Sequence, residues 1–150
     1  QFGNRLMISS HDMVFKDDDI NILYNVADLG ISTAEGEGWG LCTFEQMGVG
    51  VPQVVPDIGG YKEYCSKDNT MLVKPKYSYY LPSVYSPVGG EAHVCDPHDV
   101  CLAIEEYVND TEKRNLHGKN AKDAVLKYTW SNVVKELIKA LNDEIEENSS

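Results

Sequence analysis

The chain has 150 residues, 42% of them hydrophobic, enough for one compact domain that buries roughly two-thirds of the surface its unfolded form exposes. Its 13 Lys and Arg against 24 Asp and Glu leave a net charge of -11, which repels nucleic acid and anionic membrane surfaces, so any phosphate site has to be local. No apolar run approaches the ~20 residues needed to cross a bilayer and no signal-peptide pattern opens the chain, so a soluble, cytoplasmic protein is expected, peripheral to a membrane at most.

Cys42, Cys65, Cys95 and Cys101 form no CxxC pair and no small-domain framework, which reads as free thiols in a reducing compartment. Residue 1 is Gln and the text starts close to a strand, which reads as part of a longer product.

Leu6 to Ser9 is a strand candidate, and Asp17-Asp18-Asp19 then supplies an acidic helix start, with Ile20, Leu23, Tyr24 and Val26-Ala27 as its apolar face. Leu29 to Ser32 reads as a buried strand. Thr43 to Val49 is helical, stopped by Gly50 and Pro52. Val51 to Val55 is the next strand, Gly59-Gly60 leads into a short helix over Tyr61 to Cys65, and Thr70 to Val73 is another strand. Residues 75–90, rich in Tyr, Pro, Ser and Gly, read as a long loop, followed by a short strand over Glu91 to Cys95.

Asp96-Pro97 looks like the cap and first residue of a helix that buries Val100, Ile104, Tyr107 and Val108. Two more helices are predicted over about 111–127 and 130–146, with Trp130 in the core and an acidic tail over 143–150. Strands alternating with helices predict an α/β class, a Rossmann-like parallel sheet with helices on both faces. Ligands of such sheets sit at the carboxyl ends of the strands, where both glycine turns fall.

The first turn, "EGEGWGLCTFEQ" over residues 35–46, places glutamates where an anion site would be expected. Gly36, Gly38 and Gly40 allow a sharp, bare turn, and the amides of Leu41, Cys42 and Thr43 open the next helix at its positive end, which favours a phosphate. Carboxylates oppose a phosphate but accept well from sugar hydroxyls. A nucleotide diphosphate sugar satisfies both, with Glu45 on the ribose hydroxyls and Glu37 on the transferred sugar. The plain alternative is a flexible acidic turn in which Thr43 and Gln46 form a capping box and Glu45 complements the helix dipole. A dinucleotide fingerprint needs a third glycine at Leu41 or Thr43, and no Gly-Lys-Ser/Thr closes a P-loop.

Glu37-Gly38-Trp39-Gly40-Leu41, Glu45-Gln46-Met47-Gly48, Gly50-x-Pro52 and Gly59-Gly60-x-x-Glu63 resemble the C-terminal, donor-binding half of family 4 retaining glycosyltransferases of the GT-B fold. The shared hallmark is E-x7-E within E-G-F-G-L-x-x-x-E-A-M-A-x-G-x-P, then G-G-x-x-E. That register selects Glu37 and leaves Glu35 outside. "ILYNVADLGIST", "LVKP" and "YTWSNVV" extend the likeness over nearly the whole chain. The tyrosine-rich loop and the EGEGWGLC wording are most similar to members encoded by large algal DNA viruses.

The resemblance implies a donor site for a UDP- or GDP-sugar in a cleft between two Rossmann-like domains, transfer with retained anomeric configuration, no metal and no cofactor. It implies Glu37 at the reaction centre, Glu45 on the ribose, and Gly38, Trp39, Gly40, Leu41, Cys42, Thr43, Gly59 and Gly60 around the donor. It also implies partners that this chain does not contain. These are an N-terminal GT-B domain, an acceptor that is a sugar, lipid or protein, and the family's diphosphate-binding Arg and Lys from earlier βα units. Trp39, Gln46, Gly48 and the loop at 75–90 depart from the family pattern, and Arg5 does not match the upstream cations.

A catalytically silent nucleotide-sugar-binding or interaction module is the alternative function, and a nicotinamide-dependent dehydrogenase half is disfavoured by the glycine spacing. His93, Cys95 and His98 match no common zinc pattern. Lys62 reads as a solvated charge, and Tyr77, Tyr79, Tyr80 and Tyr85 as acceptor-lining or self-packed. The sequons at Asn109 and Asn148 lack a secretory context.

Overall fold

The computed structural model describes residues 12–82 and 90–147. The strand expected over Leu6 to Ser9, Arg5, Tyr85 and the sequon at Asn148 lie outside them.

Helix α1 (Asp17–Val26) begins with Asp17, Asp18 and Asp19 at its positive end, as its sequence predicts. Its expected apolar face is not covered among the described residues: none of its residues is buried, and Leu23 and Val26 are exposed. Strand β1 (Gly30–Ile31), helix α2 (Leu41–Gly48), strand β2 (Gln53–Pro56), a 3-10 helix (Gly59–Glu63) and strand β3 (Thr70–Val73) follow. The three strands form a parallel sheet in the order β1-β2-β3, with Gly30 opposite Gln53 and Val54 opposite Met71.

β2 is the central strand and is buried along its length. Successive side chains of a strand point to opposite faces, and the valines of β2 separate accordingly. Val55 packs with Met47 of α2 and with Ala121 and Val125 of α4 (Thr111–Val125). Val54 packs with Val100, Ala103 and Tyr107 of α3 (Pro97–Asn109). Helices therefore cover both faces, as the alternation of elements predicts.

Helix α3 starts as expected: the Asp96 carboxylate accepts from the His98 amide at 2.9 Å, and Pro97 takes the first helical position. Its buried side is Val100, Ala103 and Tyr107, with Ile104 half-buried; Val108, expected inside, is 65% exposed. The Tyr107 hydroxyl lies 2.7 Å from His117 Nδ1 on α4, and both side chains are buried. Burial raises the Tyr107 pKa and lowers that of His117, so the pair stays neutral. α4 lies directly on the turn after α2, where a Cβ at Gly118 would stand 2.4 Å from the Gly50 carbonyl oxygen.

Two expectations fail here. Within the stretch read as a loop, Tyr77–Leu81 (β4) pairs antiparallel with Gly90–Val94 (β5) in a separate two-stranded sheet. Tyrosines favour an extended pleated surface, and that preference outweighed the turn-rich composition. Trp130, expected in the core, is 84% exposed at the start of α5 (Trp130–Glu147). α5 also carries helix through most of the expected acidic tail. Its apolar stripe of Val133, Val134, Leu137, Ile138 and Leu141 is exposed among the described residues. Among the described residues no helix is long and apolar enough to cross a membrane.

Candidate functional site

The glycine turn between β1 and α2 sits at the carboxyl end of the sheet, and its geometry is set by two buried tyrosines. Gly40 caps α2 in the left-handed region, at φ 82°, where a side chain is strained. A Cβ there would also stand 2.4 Å from Tyr61 Cε1 and 2.8 Å from the Tyr64 hydroxyl. Gly36 and Gly38 need no such conformation, and a Cβ on either meets nothing within 4 Å. The sharp turn expected of three glycines therefore rests on Gly40.

The Tyr64 hydroxyl donates to the Trp39 carbonyl at 2.6 Å and reaches the Gly40 carbonyl at 3.1 Å. Burial raises the Tyr64 pKa and keeps this donor protonated. In a trans peptide the N–H points opposite to the C=O. Turning these two carbonyls onto Tyr64 thus aims the Gly40 and Leu41 amides away from the core. Among the described residues no protein group accepts from the amides of Leu41, Cys42 or Thr43, the first turn of α2.

These amides border a cavity of about 630 Å³. Of the residues expected at the site, Glu37, Trp39, Gly40, Leu41, Cys42 and Thr43 line it. Ser32, Gln46, Gln53 and Tyr61 line it too, which sequence reasoning missed; Tyr61 donates to Ser32 Oγ at 2.8 Å. The Glu37 carboxylate folds back toward its own turn, 3.4 Å from the Trp39 amide. The lining contains no lysine or arginine.

Gly38, Glu45, Gly59 and Gly60 do not line the cavity. Gly59 and Gly60 support it from behind. Gly60 donates to the Glu37 carbonyl at 3.0 Å, and Cβ atoms at Gly59 and Gly60 would stand 2.2 Å from Glu37 O and 2.1 Å from Gly38 O. The second glycine pair is thus the bed on which the first turn lies. Glu45 is exposed on α2, where its Oε2 accepts from the Tyr24 hydroxyl at 3.0 Å. Burial, then that bond, raises the Tyr24 pKa, so Tyr24 remains the donor.

The capping box at Thr43 and Gln46 does not form. α2 starts at Leu41 with Gly40 as its cap, so Thr43 is already in the helix, buried. Gln46 Oε1 instead accepts from Gln53 Nε2 at 3.1 Å, a pairing that the bare backbone of Gly30 leaves room for.

Trp39 is fixed by an aromatic cluster, with ring centroids 5.3 Å from Tyr64, 5.6 Å from Phe44 and 5.5 Å from Tyr128. The Tyr128 hydroxyl in turn donates to the Glu63 carbonyl at 2.8 Å, tying the end of α4 to the glycine bed. Glu35 has a structural task. Its carbonyl accepts from the His93 amide of β5 at 2.7 Å, and its carboxylate accepts from the Tyr79 hydroxyl of β4. The hairpin is therefore fastened to the loop two residues before Glu37. Lys76 pairs with Asp96 at 2.5 Å at the open end of the hairpin.

The His93, Cys95 and His98 group is not gathered around a common centre. Cys95 Sγ lies 3.5 Å from the Val73 carbonyl, and among the described residues no group of three or more His, Cys, Asp or Glu is arranged to hold a metal ion. Lys62 is exposed, 3.8 Å from Asp57, and does not line the cavity.

The family described as family 4 glycosyltransferases in conflict systems matches residues 8–137. An uncharacterized glycosyltransferase of Methanocaldococcus jannaschii is 27% identical over 134 residues; the match covers 85% of this chain but 30% of that protein. Sucrose-phosphate synthase from Thermosynechococcus elongatus superposes with a TM-score of 0.63 at 18% identity, over 85% of this chain and 28% of that one. Anabaena HepE, solved in complex with UDP-glucose, gives 0.63 at 21% over 83% and 30%. The C-terminal domain of a Francisella tularensis group 1 glycosyl transferase gives 0.59 at 18% over 77% and 50%. The chain thus spans under a third of the curated relative it matches. From its α/β sheet through its glycine turn to its match over residues 8–137, the chain belongs to the family 4 glycosyltransferases.

Proposed function

We propose that this chain is the donor-binding domain of a retaining, metal-independent glycosyltransferase that uses a nucleotide diphosphate sugar. The observation that carries the reading is the Tyr64-anchored turn, whose outward amides open onto a cavity flanked by Glu37. The amides and the positive end of α2 would hold the diphosphate. Glu37 would accept from hydroxyls of the transferred sugar near the reaction centre, and Glu45 from the ribose. With donor and acceptor held on the same face, the leaving phosphate would take the acceptor proton as the new bond forms, which retains configuration.

A cavity lining without lysine or arginine leaves most of the diphosphate charge to be met elsewhere. In this reading those cations and the acceptor site belong to further parts of the enzyme, in keeping with a curated relative about three times as long. The same lining also favours a silent nucleotide-sugar-binding module, which would bind donor without turnover.

Titration calorimetry with UDP, GDP and UDP-glucose tests the donor reading. Binding is expected for one of the two bases, and Glu45→Ala should weaken it roughly tenfold to a hundredfold, the loss of charge-assisted bonds to two hydroxyls. Affinity unchanged in that variant contradicts the assignment of Glu45.

A further inference from the structure

Tyr24 lies outside the motif, on α1, yet its hydroxyl reaches Glu45 Oε2 at 3.0 Å. This hydrogen bond joins α1 to α2. Cys42, three residues before Glu45 on the same helix face, is the other polar neighbour of that hydroxyl. The tyrosine thus sits beside the face of α2 that carries Cys42 and Glu45.

An exposed glutamate on a helix has several rotamers, and a ligand that needs one of them has to freeze the others out. A carboxylate offers about four acceptor positions on two oxygens. Tyr24 occupies one and fixes the plane of the group, leaving Oε1 and the second lone pair of Oε2 for two further donors. Vicinal hydroxyls are such a pair, because both can reach one carboxylate at once.

We propose that Tyr24 is a positioning residue for Glu45, holding its carboxylate ready for the 2′ and 3′ hydroxyls of the donor ribose. The inference rests on the assignment of Glu45 to the ribose. A purely structural role fits less well: α1 buries none of its residues, and this bond ends on a charged, exposed side chain rather than on core backbone.

Calorimetric titration of wild type and Tyr24→Phe with UDP and with 2′,3′-dideoxyuridine diphosphate, with the guanosine pair in parallel, separates the cases. Wild type is expected to prefer the ribose form. Tyr24→Phe should weaken the ribose form about threefold to tenfold, leave the dideoxy form unchanged, and keep the melting temperature. Equal weakening of both forms, or none, overturns the role of Tyr24 while leaving Glu45 in place. Wild type that binds but ignores the ribose hydroxyls overturns the Glu45 assignment and this inference with it.

Discussion

Gly60→Ala is expected to lower stability by roughly 1–3 kcal/mol and to weaken nucleotide binding at least about tenfold. The added Cβ would lie 2.1 Å from Gly38 O, 2.6 Å from Gly38 C and 2.8 Å from Trp39 Cα. All three are backbone atoms, so the strain cannot relax by rotating a side chain. Either the 3-10 helix or the first glycine turn has to move. The turn is the lighter partner, and it carries Glu37 and the open amides. Gly36→Ala is the control: its Cβ meets nothing within 4 Å, so stability should change by no more than about 0.5 kcal/mol. Denaturant melts and nucleotide titrations of both variants check this. A Gly60→Ala protein that binds as well as wild type would show that the second glycine pair does not support the first.

Tyr61→Ala should be more damaging to stability, by roughly 3–5 kcal/mol, because a fully buried aromatic ring is removed. The ring lies under Gly40 and lines the cavity, so the loss empties the floor of the turn as well as the core. Tyr61→Phe keeps the ring and removes only the bond to Ser32 Oγ, at about 1 kcal/mol. The gap between the two variants in chemical denaturation measures how much of the turn is held by packing. Equal effects would assign the role to the hydroxyl instead.

Much of the sheet was legible because buried parallel strands read as short apolar runs. Val51 to Val55 and Thr70 to Val73 are strands close to where their sequences place them, and Asp96-Pro97 announced α3 through its cap. The hairpin was hidden because residues 75–90 carry the prolines, serines and glycines of a loop, while its strand signal is a cluster of tyrosines at one end. Val108 and Trp130 were misplaced because periodicity shows which residues share a helix face, not whether anything covers it.

At the site, the spacing of Glu37 and Glu45 was readable, and their separation was not. Glu37 lines the cavity, whereas Glu45 lies beside it on α2, against Tyr24 from a helix that precedes the motif. Thr43 and Gln46 match a capping box on paper, but the left-handed Gly40 starts the helix two residues earlier. Glu35, outside the motif register, is what the hairpin grips. Contacts such as these join residues 21, 44 and 58 positions apart, beyond the reach of local pattern.

Phosphate on amides and hydroxyls on carboxylates is the division of labour that the turn suggests. Backbone amide shifts during titration with UDP-glucose, or with a GDP-sugar if the guanine form binds, read it out residue by residue. Donor binding at the glycine turn predicts that the largest shifts fall on Trp39 to Thr43, with Gly59 and Gly60 following. Largest shifts on α5 or on the β4–β5 hairpin, with these amides unmoved at saturating donor, would contradict it.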